Sequence, residues 1–383
     1  MSYKKLKEEC YIVMGQSPKS STYNTEKKGI AFLQGRKTFG RMYHKIDTWT
    51  TNPIRIGKKK SVLMSVRAPA GDINIAIEDI CIGRGLASIS MKNNNNLYLY
   101  YLLLYNMNNI KNRSTGTVFE SIAKEDIDNL LVNFHKEREQ NKIQKILGNL
   151  DEKIELNNEI NDNLFEIIKQ YIKEHYYNDS NIQVNLIRTI GKIQGGYAFK
   201  SKDLLDEATN NKILKIKNIN SSGVDIENTQ YVYDEVANKV GKKFVLTRGD
   251  IIIAMTGAEL GKTGYLYGDK ITYFLNQRVG VIRGNDEFSN LYLNCVFLLD
   301  EMQNLLNSKG YGSAQPNIST SDIESIEIPI PDEIELKKFY KIANPIYNKM
   351  ILNSEENQNL IELRDTLLPK LMNGEIDLEN IEI

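Results

Sequence analysis

The sequence predicts an α+β chain: two similar α/β domains separated by two long helices that pair antiparallel as a coiled coil, related by an internal pseudo-twofold axis. Three observations carry this reading. Residues 116–168 reappear as 312–364, shifted by 196 positions without a gap and with 17 identities in 53. Each copy ends in a heptad pattern, and each is preceded by short β-type runs punctuated by turns. The implied partition is a first domain over 1–135, a first helix over 136–178, a second domain over 179–331, and a second helix with its tail over 332–383.

In the first domain, Ile30–Gln34, Ser61–Val66, Ile80–Ile82 and Leu86–Ser90 read as strands, and a helix is expected near 97–109. The repeat extends into these segments with gaps. Val13-Met14-Gly15-Gln16 corresponds to Ile193-Gln194-Gly195-Gly196, and Val62-Leu63-Met64 before Gly71 to Ile252-Ile253-Ala254 before Gly261. Gly83-Arg84-Gly85-Leu86 lines up with Gln277-Arg278-Val279. In the second domain Ile213–Lys217, Ile251–Ala254, Tyr265–Tyr267 and Val279–Arg283 read as strands, followed by one helix over 289–306.

The first helix carries Ile143, Leu147, Leu150, Ile154, Asn157, Asn161, Leu164, Ile168 and Tyr171 at alternating spacings of four and three. The second repeats it as Phe339, Ala343, Ile346, Met350, Asn353, Asn357, Leu360, Arg364 and Leu367. Such a seam buries one stripe of each helix. Two asparagines in mid-seam fix register if they face each other, because an unpaired amide in an apolar seam is penalised. The alternative is a partly exposed edge. Antiparallel pairing would set Asn against Asn and make the pair a rigid spacer. Ile146, Ile160, Ile167 and Ile172 would then face outward, available to helices of a partner, or would instead cover the domains' own inner faces.

A formal net charge of zero hides an asymmetry: residues 1–135 hold 20 Lys/Arg against 11 Asp/Glu, whereas residues 179–331 hold 16 against 18. The first domain therefore suits a polyanion, and the second gives no such signal. Cys10, Cys81 and Cys295 are unclustered, which favours reduced thiols in a cytoplasm over disulfides or a zinc site. The apolar stretch Leu97–Met107 is too short to span a bilayer, and no signal peptide is read at the start.

Catalytic patterns are weak. Asn344-Pro345-Ile346-Tyr347 lacks the second proline of an adenine-methyltransferase motif and falls in the seam, and Gly83-Arg84-Gly85 lacks the third glycine of a dinucleotide loop. Gly257-Ala258-Glu259-Leu260-Gly261-Lys262-Thr263 has one residue too few between its glycines for a phosphate-cradling loop. His44, His135 and His175 are scattered without a partnered nucleophile.

Several stretches, taken in order with the duplication, resemble a specificity subunit of a type I restriction–modification system. They are Ser65-Val66-Arg67-Ala68-Pro69-Ala70-Gly71-Asp72-Ile73, Cys81-Ile82-Gly83-Arg84-Gly85-Leu86-Ala87, Glu139-Gln140-Asn141-Lys142-Ile143 and Leu150-Asp151-Glu152-Lys153-Ile154. Gly312-Ser313-Ala314-Gln315-Pro316-Asn317-Ile318-Ser319 and the closing Leu367-Leu368-Pro369-Lys370-Leu371-Met372-Asn373-Gly374-Glu375-Ile376 complete the set. The second half departs from it: Thr256-Gly257-Ala258 stands for Arg-Ala-Pro, and Glu335-Leu336 for Glu-Gln.

The resemblance implies that the two domains are target-recognition domains, each reading half of an asymmetric bipartite DNA sequence, with the helices setting the gap. It also implies double-stranded DNA as ligand, two methyltransferase subunits as direct partners and restriction subunits as indirect ones. S-adenosylmethionine would bind those methyltransferase subunits, and this chain would hold no cofactor or metal and would not itself be catalytic.

DNA readout needs polar and cationic side chains on loops. The candidates in the first domain are Gln16, Ser17, Ser20, Thr22, Gln34, Arg36, Lys37, Arg41, Arg67, Arg84, Thr115 and Thr117. In the second they are Tyr197, Lys200, Lys217, Asn218, Thr256, Asn276, Gln277, Arg278, Tyr311, Ser313 and Gln315. For Arg84 and Arg278 a structural salt bridge competes with this role. Two rival functions stay open at this point: a catalytic methyltransferase or nuclease remnant, and a dimeric coiled-coil DNA-binding regulator.

Overall fold

The computed structural model describes residues 2–113, 121–220, 223–268, 270–310 and 316–379. It divides into two compact units, Met1–Glu152 with Leu360–Ile383, and Lys153–Asn359. The division passes through both long helices, Glu137–Ile172 and Glu333–Met372. Each unit is thus an α/β body plus a stretch of each helix, where the sequence suggested helices standing as separate segments. The reason is burial. Ile168 and Ile172 pack into one core with Tyr292, Phe297 and Phe339 of the second unit, and Leu368 and Leu371 into another with Leu99 and Leu103 of the first.

In the first unit a four-stranded sheet runs in the order Cys10–Met14, Leu86–Met91, Val62–Ser65, Ile73–Ile75. A five-stranded sheet runs Tyr23–Asn24, Trp49–Thr50, Ile30–Leu33, Ile80–Ile82, Ile56–Gly57. Its Ile30–Leu33 and Ile80–Ile82 strands lie parallel. In the second unit the four strands are Gly191–Gly195, Val279–Gly284, Ile251–Ala254, Thr263–Tyr265. The five are Leu204–Leu205, Gln230–Val232, Asn211–Leu214, Thr272–Leu275, Val245–Leu246, with the same parallel pair in third and fourth place. A two-stranded sheet accompanies each body, Ser2–Lys5 with Leu131–Phe134 and Val184–Leu186 with Glu327–Pro329. The repeat is therefore complete at the level of strand order, including segments where few identities survive.

Strand register corrects the correspondence drawn from sequence. Ala87 faces Met14 and Gly280 faces Gly195, so Gly15 matches Gly196 and Gln16 matches Tyr197. Leu33 pairs with Ile82 and Leu214 with Leu275, so Arg84 matches Gln277, and Arg278 takes the place of Gly85. The two arginines are not copy mates. A strand alternates faces, so a one-residue slip exchanges every inward and outward side chain, and the buried face decides the alignment.

The expected helix near residue 97 runs from Asn96 to Arg113. The single helix expected over 289–306 is instead two, Glu287–Phe297 and Asp300–Gly310. Asp286 caps the first of them, its Oδ1 accepting from Ser289 N–H at 2.8 Å.

Within the second unit the two long helices run antiparallel and the seam asparagines meet. Asn157 Nδ2 donates to Asn357 Oδ1 (2.9 Å), and Asn353 Nδ2 donates to Asn161 Oδ1 (2.8 Å). Since Asn353 and Asn357 are the copy mates of Asn157 and Asn161, each residue bonds the mate of the other, the pattern of a self-complementary contact. Asn357 Nδ2 donates on to Asn158 Oδ1, and Asn161 Nδ2 to the Met350 carbonyl. Ile143, Leu147, Ile154, Ala343 and Met350 are buried, while Leu150, Leu164, Ile346 and Leu360 are half-buried. Of the residues expected to face outward, Ile167 is exposed; Ile172 is fully buried and Ile146 packs on the first unit's core.

Candidate nucleic-acid interface

Parallel pairing of two non-adjacent strands brings distant loops to one end of each body. In the first unit Ile30–Leu33 and Ile80–Ile82 deliver Gln34 and Gly83 side by side, where Gly83 N–H donates to the Leu33 carbonyl (2.8 Å) and Gly85 N–H to the Gln34 carbonyl (3.2 Å). Gln16 N–H joins through the Ile82 carbonyl, and Ser17 Oγ accepts from Arg84 N–H at 3.1 Å. Val66 N–H bonds the Gly85 carbonyl, which adds Arg67 to the group. Gln16, Gln34, Arg36, Lys37, Arg67 and Arg84 are all exposed here. Gly15 is required at the crossing, because a Cβ there would lie 2.1 Å from the Gly83 carbonyl oxygen.

The second unit builds the same end from different residues. Gly196 N–H donates to Val279 and Tyr197 N–H to Leu275, and a Cβ at Gly196 would lie 2.0 Å from the Asn276 carbonyl oxygen. Asn276 N–H bonds the Leu214 carbonyl, which brings the turn Ile216–Asn218 alongside, and Met255 N–H bonds the Arg278 carbonyl, which brings Thr256. Lys217, Gln277 and Arg278 are exposed, and Asn276 and Tyr197 are half-exposed. Burial, with the neighbouring Lys217, pulls the Lys215 ammonium below its ordinary range. Tyr197 packs edge-on against Phe199 and Phe244, so its ring is anchored in a small aromatic cluster.

Not every candidate joins these clusters. Thr22 Oγ1 bonds the Lys19 carbonyl and Thr50 Oγ1, and Thr50 pairs with Ile30, so Ser20 and Thr22 lie at the far end of the strand that leads to Gln34. Asn218 is buried, its Oδ1 accepting from Lys215 N–H and its Nδ2 donating to the Asn228 carbonyl; it builds the turn and is not free to reach a base. Arg41 donates to Asp151 at 2.6 Å and so is held within the protein. Lys200 is exposed at the start of the turn Ser201–Asp203. Thr256 stands within the second cluster, but its Oγ1 donates to the Pro316 carbonyl. Thr115, Thr117, Tyr311, Ser313 and Gln315 lie outside the described residues.

Three cations that sequence reading passed over belong to these ends. Ile82 N–H bonds the Arg55 carbonyl, so exposed Arg55 borders Gly83. Val245 pairs with Phe274, which places the turn Lys242–Phe244 beside Asn276 with Lys242 and Lys243 exposed. The signal that could have found them is that each stands just before the strand that flanks the parallel pair. The Gly257–Thr263 stretch proves to be a tight loop leading into the strand Thr263–Tyr265: Gly261 N–H returns to the Ala254 carbonyl, as Gly71 N–H does to Ser65. No helix follows it, so it lacks the helix N-terminus on which phosphate would rest. Among the described residues no cluster of His, Cys, Asp and Glu could hold a metal, and no helix is long and apolar enough to cross a membrane.

The family model for the type I restriction modification DNA specificity domain matches this chain twice, over residues 1–166 and 180–363. The chain belongs to that family. A Methanocaldococcus jannaschii protein named for the MjaX type I restriction enzyme specificity subunit is 40% identical over 147 residues, an alignment covering 38% of this chain and 35% of that protein. The MjaIX specificity subunit of the same organism is 26% identical over 353 residues, 86% of this chain and 80% of the other. The crystal structure of a type I restriction–modification S subunit from M. genitalium superposes with a TM-score of 0.59 at 18% identity, covering 97% of this chain and 95% of that one, and so shares its fold. Each matched span contains one of the two bodies whose strand orders agree, together with most of the long helix that follows it.

Proposed function

We propose that the chain is a non-catalytic, sequence-specific DNA reader that recognises an asymmetric bipartite duplex target, one half with each loop cluster. The observation that carries this is the pairing of one scaffold with two sets of polar tips. The same strand order presents Gln16, Gln34 and Arg84 in one unit and Tyr197, Lys217 and Gln277 in the other. Identical tips would suit a palindrome; different tips suit two unlike half-sites. The paired helices act as a spacer, with the asparagine contacts holding their register. Exposed Leu156, Ile167, Ile342 and Leu363 on those helices are suited to helices of two methyltransferase subunits, which would carry the S-adenosylmethionine and the adenine chemistry. Restriction subunits attach through them, and the complex works in the cytoplasm.

The test is to express the chain with its methyltransferase partner in a methylation-free host and map modified adenines across the genome. A motif of two specified segments flanking unspecified bases is expected. A single uninterrupted motif, or a pattern unchanged when the chain is omitted, would refute the reading.

A further inference from the structure

The strongest polar cluster of the first unit lies away from the tips. Asp151, on the long helix, has a side chain only 2% exposed. It accepts from Arg41 at 2.6 Å and Arg364 at 2.9 Å on Oδ1, and from the Tyr101 hydroxyl at 2.6 Å on Oδ2. These partners come from three places: the hairpin tip at Arg41, the helix Asn96–Arg113, and the second long helix. One carboxylate thus joins the two long helices to the α/β body and to a surface hairpin.

That hairpin begins at the tips. The turn Arg36–Thr38 follows Gln34 directly, and the chain then doubles back, with Lys45 N–H donating to the Thr38 carbonyl and Gly40 N–H to the Tyr43 carbonyl. Its inner strand is held by Ile75 N–H to the Met42 carbonyl and Asn74 Nδ2 to the Gly40 carbonyl. Its other side borders a cleft of about 290 Å3 lined by Arg36, Phe39, Arg41, Asp72, Tyr100 and Leu104. Two ion pairs close that cleft, Arg36 with Asp72 and Arg41 with Asp151. Met42 of the hairpin is buried in the unit's core and Phe39 packs on a neighbouring apolar cluster. The Arg36 and Arg41 ion pairs add charged fastenings on the cleft side of the hairpin that carries Arg36 and Lys37.

We propose that Asp151 and Arg41 are positioning residues for DNA recognition by the first unit, fastening the Thr38–Lys45 hairpin to the helix pair so that Arg36 and Lys37 are aimed at one half-site. This rests on the functional reading above. Neither residue touches DNA; they act through the hairpin. The second unit has no carboxylate at this place: the copy mate of Asp151 is Tyr347, whose hydroxyl donates to the Gly249 carbonyl at 2.9 Å. The effect is therefore confined to one half of the target.

The experiment compares Asp151→Asn, Arg41→Met and Arg41→Lys in the full chain, co-expressed with the methyltransferase, by the fraction of sites methylated when one base in either half is wrong. Asp151→Asn and Arg41→Met are expected to raise methylation of first-half mismatches about tenfold relative to matched sites, with second-half discrimination unchanged and Arg41→Lys close to the native pattern. Should Asp151→Asn not accumulate as soluble protein, Arg41→Met, which leaves the buried Asp151–Arg364 pair intact, decides alone. Equal loosening of both halves, or unaltered discrimination in Arg41→Met, would overturn the assignment. If the native chain gave no two-part motif, the functional reading itself would fail, and this proposal with it.

Discussion

The two units share a strand order but not a way of holding the helices. The first uses a buried carboxylate between two guanidinium groups and a phenol; the second uses Tyr347 on a backbone carbonyl and a more open bidentate pair, Arg248 with Glu355 at 2.5 and 3.1 Å. The loop tips differ in the same manner, Gly83-Arg84-Gly85 in one and Asn276-Gln277-Arg278 in the other. Backbone ladders fix the scaffold, and side chains at loops and fastenings are free to diverge after duplication. A reader of two unlike half-sites needs that freedom.

The comparison can be broken first at the fastenings. Asp151→Ala strands the Tyr101 hydroxyl and removes one of the two carboxylates that Arg364 binds, leaving it Asp365, and a loss of about 1–3 kcal/mol is expected. Glu355→Ala breaks a pair more than a quarter exposed on each side, so solvent screening limits the loss to roughly 1 kcal/mol. Urea denaturation of the two variants measures the difference, and equal losses would erase the contrast.

Asparagine contacts in the helix pair offer the next test. Asn157→Leu strands the Asn357 carbonyl oxygen and is expected to cost about 1–3 kcal/mol, whereas adding Asn357→Leu should restore most of it by replacing both partners. A double variant no more stable than the single one would show that the seam cannot accept apolar pairs.

Acid should loosen the first unit before the second. Burial holds His44 and His135, both in the first unit, below the ordinary histidine pKa, and Ile77 N–H donates to His44 Nε2. The unfolded chain then takes up protons that the folded one resists, so this stability is full above the ordinary value, about 6.5, and falls as pH drops through it. In the second unit the Arg248 hydrogen bond holds Glu355 below its ordinary value of 4.5, so its contribution fades only as pH falls below that value. Hydrogen exchange at pH 7 and at about pH 5.5 should show protection lost first in the first unit; simultaneous loss would contradict this.

The smallest effects concern phosphate contacts. Replacing Arg55 with Ala should make the salt dependence of DNA binding shallower by about 0.9 in the log–log slope, and replacing Lys242 and Lys243 together by about twice that. Base preference should be unchanged in both. Slopes identical to the native one would remove these three residues from the interface.

Much of this architecture could be read from the chain because helices announce themselves locally. The heptad spacing and the ungapped copy over 312–364 set two asparagines in mid-seam of each helix, so that antiparallel pairing would bring Asn against Asn; the pairing of Asn157 with Asn357 itself is seen only in the structure. Short strands carry less information: a four-residue run does not show its register, so the sequence alone sets Arg84 against Arg278 where strand pairing matches it with Gln277. Parallel pairing of strands 49 positions apart in the first unit and 61 in the second hid Arg55, Lys242 and Lys243. Arg41 looked like a free loop cation because its partner, Asp151, stands 110 positions away.

The central claim, that each unit reads its own half of the target, is tested most directly by exchange. Replace residues 1–135 with the corresponding domain of another family member of known target, keep the rest, and map methylated adenines. The account predicts a hybrid motif in which one half changes to the donor's and the other stays as in the native chain. A motif altered in both halves, or in neither, would contradict it.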